Sequence, residues 1–271
     1  MNGTFVYSLS EALFLGIANT FLCGVFLPLH FALIWILAAR TYESVIIYRI
    51  LKHFCVANVM SLFSTFMSGI FELLRSSLCD VIDITSGSLS SWFKVACCLL
   101  NLLLAINQCS VVFEFVIPCE TDVHQYLMFL IWYALLVLVI LTAYMRINFR
   151  YEFETHWFNE PSELVEGPVL YVRHFTTVIY AIIVCKAMYT KFKQKKILQH
   201  FVLIEFLQIL GLHMPAEFLN IFRAIFKSAI DSLTQTKILY IFVYRAVAVV
   251  PIVVVLSLNK TFNSLAPGND A

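Results

Sequence analysis

The sequence predicts an all-α membrane protein, a bundle of seven transmembrane helices in one domain spanning 1–271. Three observations carry this. The chain is 61% hydrophobic and only 13% charged, where a soluble domain carries about 25% charged residues. Mean hydropathy is +0.86. Seven separate stretches reach the roughly 20 apolar residues that a helix needs to cross a bilayer. Helices are the expected form because lipid offers backbone groups no hydrogen bonds.

The first stretch, about 12–39, contains no Lys, Arg, Asp or Glu. It is too long for a cleaved signal peptide and is expected to be a membrane helix. The second runs over about 53–71, the third over 93–113 and the fourth over 126–145. The fifth, about 169–189, is interrupted by Arg173 and His174. The sixth covers about 201–222 and the seventh about 238–258. Connections are short. The longest, 146–167, is acidic, with Glu152, Glu154, Glu160, Glu163 and Glu166, and it holds Pro161. There is no internal repeat, which disfavours a transporter.

Loop cations set orientation. An outside N-terminus leaves Arg40, Arg49, Lys52, Lys191, Lys193, Lys195, Lys196 and Lys260 inside, against Arg75, Lys94, Arg146, Arg150, Arg223, Lys227 and Lys237 outside. The cluster Lys191, Lys193, Lys195, Lys196 tips the balance toward an outside N-terminus. The sequon Asn2-Gly3-Thr4 agrees, although Asn259-Lys260-Thr261 is a second sequon on the opposite face. The net charge of +1 gives no reason to expect a nucleic-acid partner.

Charged groups at a helix centre cost about 2.5–3.5 kcal/mol, so those present are candidates for function. His213, Glu217 and Asn220 lie at i, i+4 and i+7 on one face of the sixth helix. Arg245 lies about 12 Å down the seventh helix by the helical rise. It is expected to pair with Glu217 and to line an outer cavity with Tyr240 and Tyr244, either as a ligand site or as a structural ion pair. Asn19, Asn58, Asn101 and Asn107, with Glu205 and Gln208, read as interhelical glue. Pro28, Pro215 and Pro251 should kink their helices. The eight cysteines include no CxxC pair, and no catalytic constellation or metal-ligand spacing stands out. No enzymatic activity, metal or cofactor is expected.

The third helix ends Leu104-Ala105-Ile106-Asn107-Gln108-Cys109, and Pro251 leads through an apolar run to Ser257-Leu258-Asn259-Lys260-Thr261-Phe262. With Tyr171-Val172-Arg173-His174 in the fifth helix, these stretches resemble the nematode serpentine chemoreceptors, class T foremost and class X close behind. The corresponding family endings are L-A-x-N-R-C and L-N-K/R-T-I-R. The resemblance implies a plasma-membrane chemosensory receptor of the G-protein-coupled type. A small external molecule would bind near His174, His213, Glu217, Asn220, Tyr240, Tyr244 and Arg245. A heterotrimeric G protein would meet Asn107, Gln108, Glu114, Lys191, Lys193, Lys195 and Lys196. The chain departs from the family at Gln108, which stands where members carry arginine, and a non-signalling membrane scaffold or receptor partner is the other reading. The receptor comparison also raises a bridge from Cys79 to Cys97 or Cys98, with unpaired thiols the favoured state.

Overall fold

The computed structural model describes residues 9–38, 46–115, 120–145, 149–153, 157–158 and 162–193. These form five helices: α1 (Leu9–Leu37), α2 (Ile46–Leu74), α3 (Asp80–Phe113), α4 (Glu120–Tyr144) and α5 (Ser162–Lys193). All five are long and apolar enough to cross a membrane. Large apolar side chains such as Phe14, Phe21 and Trp35 on α1 and Phe129, Tyr133 and Leu136 on α4 are exposed. Apolar faces that continuous belong against lipid or another protein. The sixth and seventh expected spans lie outside the described residues, as do His213, Glu217, Asn220, Tyr240, Tyr244, Arg245, Lys195 and Lys196. The chain divides into two compact units, 1–179 and 180–271, and α5 runs across the boundary. In the second unit the described residues are the end of α5, where Tyr180 and Ile183 are buried.

Helices α1 to α4 alternate in direction. Gly16 of α1 faces Gly69 of α2, and Cys23 Sγ donates to the Leu62 carbonyl 3.2 Å away, so α1 and α2 run antiparallel. The helices touch because both contact positions lack a side chain. A methyl group on Gly69 would meet Thr20 Oγ1 at 2.8 Å, and one on Gly16 would meet Leu73 at 2.8 Å. Small residues are the usual means of close approach where lipid supplies no hydrophobic drive between helices. Helix α3 continues the pattern: Cys97 Sγ donates to Asn58 Oδ1 on α2 at 3.8 Å, while Asn58 Nδ2 donates to the Phe54 carbonyl at 3.1 Å. Asn58 is thus the interhelical glue expected of it. Helix α4 is fastened by two indoles. Trp92 Nε1 of α3 donates to Thr142 Oγ1 at 3.3 Å, and Trp132 Nε1 of α4 donates to His53 Nδ1 of α2 at 3.0 Å.

The helices outrun their expected spans. Helix α3 begins at Asp80, thirteen residues before the expected start at 93. Its extra turns hold Ser86, Ser88, Ser90 and Ser91, all buried. A polar run reads as a loop by hydropathy. It is tolerated in a helix because a hydroxyl can bond the carbonyl one turn back, as Ser91 Oγ does to Gly87 at 3.0 Å. The early start also settles the cysteines. Cys79 caps α3 and Cys97 lies eighteen residues on, about 27 Å along the axis, far beyond the roughly 7 Å that a disulfide allows. Cys79, Cys97 and Cys98 form no disulfide.

Both α2 and α3 end without glycine. Arg75 (φ 50°) and Glu114 (φ 57°) take the left-handed conformation. Ser76 N–H then bonds the Phe71 carbonyl at 3.2 Å, and Phe115 N–H bonds Ser110 at 2.9 Å, the pattern of a Schellman motif. Pro28 lies inside α1, and a further proline, Pro168, lies in the second turn of α5.

The glycine contact yields a prediction. Gly69→Leu should destabilise the protein by about 1–3 kcal/mol through overpacking. Gly24→Ala, where nothing lies within 4 Å, should leave stability unchanged or raise it by about 0.5–1 kcal/mol. Thermal unfolding followed by circular dichroism in detergent separates the two.

Candidate functional site

Five residues of the expected loop, Phe149-Arg150-Tyr151-Glu152-Phe153, form a strap laid across the end where α2 finishes and α3 begins. Tyr151–Glu152 (β1) pairs antiparallel with Trp157–Phe158 (β2), Tyr151 opposite Phe158 and Glu152 opposite Trp157. Inward and outward residues alternate along it. Phe149 and Tyr151 are buried, while Arg150 and Glu152 face out. That is the period of a half-buried strand.

Phe149 sits on Gly87 of α3. A methyl group there would overlap the Phe149 carbonyl oxygen and lie 2.8 Å from its carbonyl carbon. The Phe149 ring stands 6.3 Å from Trp92, the residue that fastens α4. Tyr151 packs edge-on against Phe71 of α2, centroids 5.7 Å apart, and against Phe153 at 5.2 Å.

Polar contacts complete the seat. The Tyr151 hydroxyl donates to Glu72 Oε1 of α2 in a short hydrogen bond. Its backbone N–H donates to Asp83 Oδ1 of α3 at 2.8 Å. Glu72 is 2% exposed and Asp83 4%, and Asp83 also accepts a hydrogen bond from the Ser77 side chain. Buried carboxylates need donors of this kind, because an unsatisfied buried charge is costly. Burial, reinforced by the neighbouring Glu72, pushes the Tyr151 phenol well above its ordinary value. It therefore stays a donor at any physiological pH. At the rim, Arg150 Nη1 lies 3.5 Å from Asp80 Oδ1, with both side chains more than half exposed, a pair worth little.

None of the described residues of the strap is among the sequence-predicted ones. His174 is exposed on α5, its Nδ1 2.7 Å from the Leu170 carbonyl of its own helix. Asn107 and Gln108 are buried near the far end of α3, and Gln108 Oε1 has no hydrogen-bond partner among the described residues. Glu114 is exposed at the left-handed cap of that helix. Lys191 and Lys193 close α5. Glu72, Asp83, Gly87 and Tyr151 escaped the reading of the sequence. The alternation of Phe149, Tyr151 and Phe153 with Arg150 and Glu152 is the signal that would have found the strap. No group of three metal-ligating side chains occurs among the described residues. No known family model matches the chain, and no curated protein proves similar to it.

Two predictions follow from this geometry. Tyr151→Phe keeps the ring packing but removes the donor to Glu72, and should cost about 1–3 kcal/mol. The folded phenol titrates above the unfolded one, so its contribution is complete below about pH 10 and is lost only as pH rises through the folded value. The gap between wild type and Tyr151→Phe in thermal unfolding should thus be flat across roughly pH 6 to 9. Separately, Glu114→Gly relieves a left-handed backbone that costs a side-chain-bearing residue about 1–2 kcal/mol, and should raise stability by about 1 kcal/mol in the same assay.

Proposed function

We propose that the chain is a chemosensory seven-helix receptor of the serpentine type in the plasma membrane, with its N-terminus outside, binding a small external molecule in the outer half of the bundle. The observation that carries this reading is the strap. The connection between the fourth and fifth helices folds back over buried Glu72 and Asp83 instead of standing free in water. With the N-terminus outside, that strapped end faces outward, where a ligand arrives, and Gln108, Glu114 and the Lys191–Lys196 cluster face the cytoplasm, where a heterotrimeric G protein would dock. Ligand binding shifts the bundle between two arrangements by differential affinity. The expected outer cavity of His174, His213, Glu217, Asn220, Tyr240, Tyr244 and Arg245 belongs to this proposal, as does membership of class T or class X.

One observation favours a second reading. Gln108 is 5% exposed and uncharged where the family carries arginine, which suits a non-signalling membrane partner of other receptors.

In cells expressing the full chain, an N-terminal epitope should stain without permeabilisation. A panel of small volatile and water-soluble molecules should alter second-messenger levels, more strongly with Gln108→Arg. Staining only after permeabilisation would overturn the orientation. Silence of both wild type and Gln108→Arg, alongside lost surface delivery of a co-expressed receptor when this chain is removed, would favour the partner reading.

A further inference from the structure

We propose that the contact between Trp132 and His53 is a proton-operated tie, which bonds α4 to α2 only while His53 is neutral. An indole N–H donates and cannot accept. Trp132 Nε1 donates to His53 Nδ1 at 3.0 Å, so Nδ1 must present its lone pair. The ring is therefore neutral, with its proton on Nε2. A second proton goes to Nδ1 and sets two N–H groups head to head. Flipping the imidazole does not restore the bond, because both nitrogens of the cation are donors.

The tie sits where three helices meet. Trp132 of α4 packs against His53 of α2 and Phe93 of α3, each at 6.0 Å between ring centroids. Phe93 contributes packing, and the directed bond is the one to His53. Helix α2 touches α4 far less than it touches α1 or α3, so one directed bond matters more there. His53 is half-buried and lies seven residues into α2, about 10 Å from its start, which keeps it near water at that end of the bundle.

Protonation gains nothing in exchange. The imidazole meets the N–H edge of the indole, the positive side of its quadrupole, and not the face that attracts cations. The charged side chains acting on His53 are Lys52 and Arg49 of its own helix, both positive. Beside the contact residues, α4 carries Tyr133 and, two turns away, His124, while α3 carries Lys94 next to Phe93. Helix α1 carries His30, about level with Cys55 by its antiparallel register with α2. No carboxylate stands among these groups. The tie is whole above histidine's ordinary value of about 6.5 and is lost as pH falls below it. It goes beyond the receptor reading and does not depend on what the bundle binds.

Indole NMR tests it, on the full-length chain in nanodiscs with isotope-labelled tryptophan. The chain has four tryptophans, and Trp132→Phe and Trp92→Phe assign the two signals needed. From about pH 8 down to about pH 5, the Trp132 indole proton should move upfield along one titration curve. Its exchange with water should speed by about tenfold or more. Trp92 is the internal control: its indole donates to Thr142 Oγ1, a hydroxyl that does not titrate in this range, so its signal should stay in place. His53→Asn puts a non-titrating amide oxygen in place of Nδ1, and the Trp132 signal should then stay bonded and flat with pH. The tie is wrong if the Trp132 indole does not move over this range, if Trp92 moves as far, or if the titration persists in His53→Asn. Should His53→Asn fail to fold, the wild-type comparison of Trp132 with Trp92 still decides. Because the readout is one N–H group and not signalling, failure of the tie is distinct from failure of the receptor reading.

Discussion

Two carboxylates are buried at one end of this bundle, Glu72 at the close of α2 and Asp83 at the opening of α3. Buried carboxyls need donors, and each takes one from a distant segment, on one residue, Tyr151, while Asp83 takes another from the nearby Ser77 side chain. Much of the surrounding architecture reads as a consequence. Helix α3 must begin early enough to present Asp83. Position 87 must be glycine for the strap to lie flat. The hairpin must alternate so that Phe149 and Tyr151 point inward together.

The same accounting of hydrogen bonds runs through the described bundle. Polar side chains are numerous among its buried residues, and many are satisfied by their own helix. Thr20 bonds Gly16, Thr65 bonds Ser61, Thr142 bonds Leu138 and Thr176 bonds Val172, each one turn back. These local bonds let a hydroxyl enter an apolar environment without a partner helix. Other links cross between elements: the Cys23 thiol to Leu62, the Cys97 thiol to Asn58, the Trp92 and Trp132 indoles and the Tyr151 phenol. Association rests on these links together with the bare Gly16–Gly69 contact.

How much was legible in the sequence follows from which signals are local. The existence of the first five spans was plain, because apolar runs of this length have few alternatives. Their ends were not. Arg49 and Lys52 lie within α2, the serine run lies within α3, and α5 takes in Ser162 to Gly167, all read as connections by hydropathy. The stops were also hidden, since Arg75 and Glu114 occupy positions where glycine would have announced them. The candidate ligand residues that intramembrane charge picks out, 213–245, lie outside the described residues, whereas Glu72 reads in the sequence as the ordinary polar edge of a span. Its partner lies 79 residues away, and no periodicity within a window reports a pairing at that distance. The strand alternation at 149–153 was the one available clue.

The separation in sequence has a consequence for synthesis. The contacts between α1 and α2 are complete once residue 74 has been added, and the seat for the strap exists by the time Trp92 has followed. Tyr151 is made 68 residues after Asp83 and 79 after Glu72. At about 5–20 residues per second, the two carboxylates wait on the order of several seconds before the residue that covers them is made. During that interval the half-built bundle must keep two acidic groups at its water-facing end, which makes the insertion machinery, and not the finished fold, the first environment in which Glu72 and Asp83 have to be tolerated.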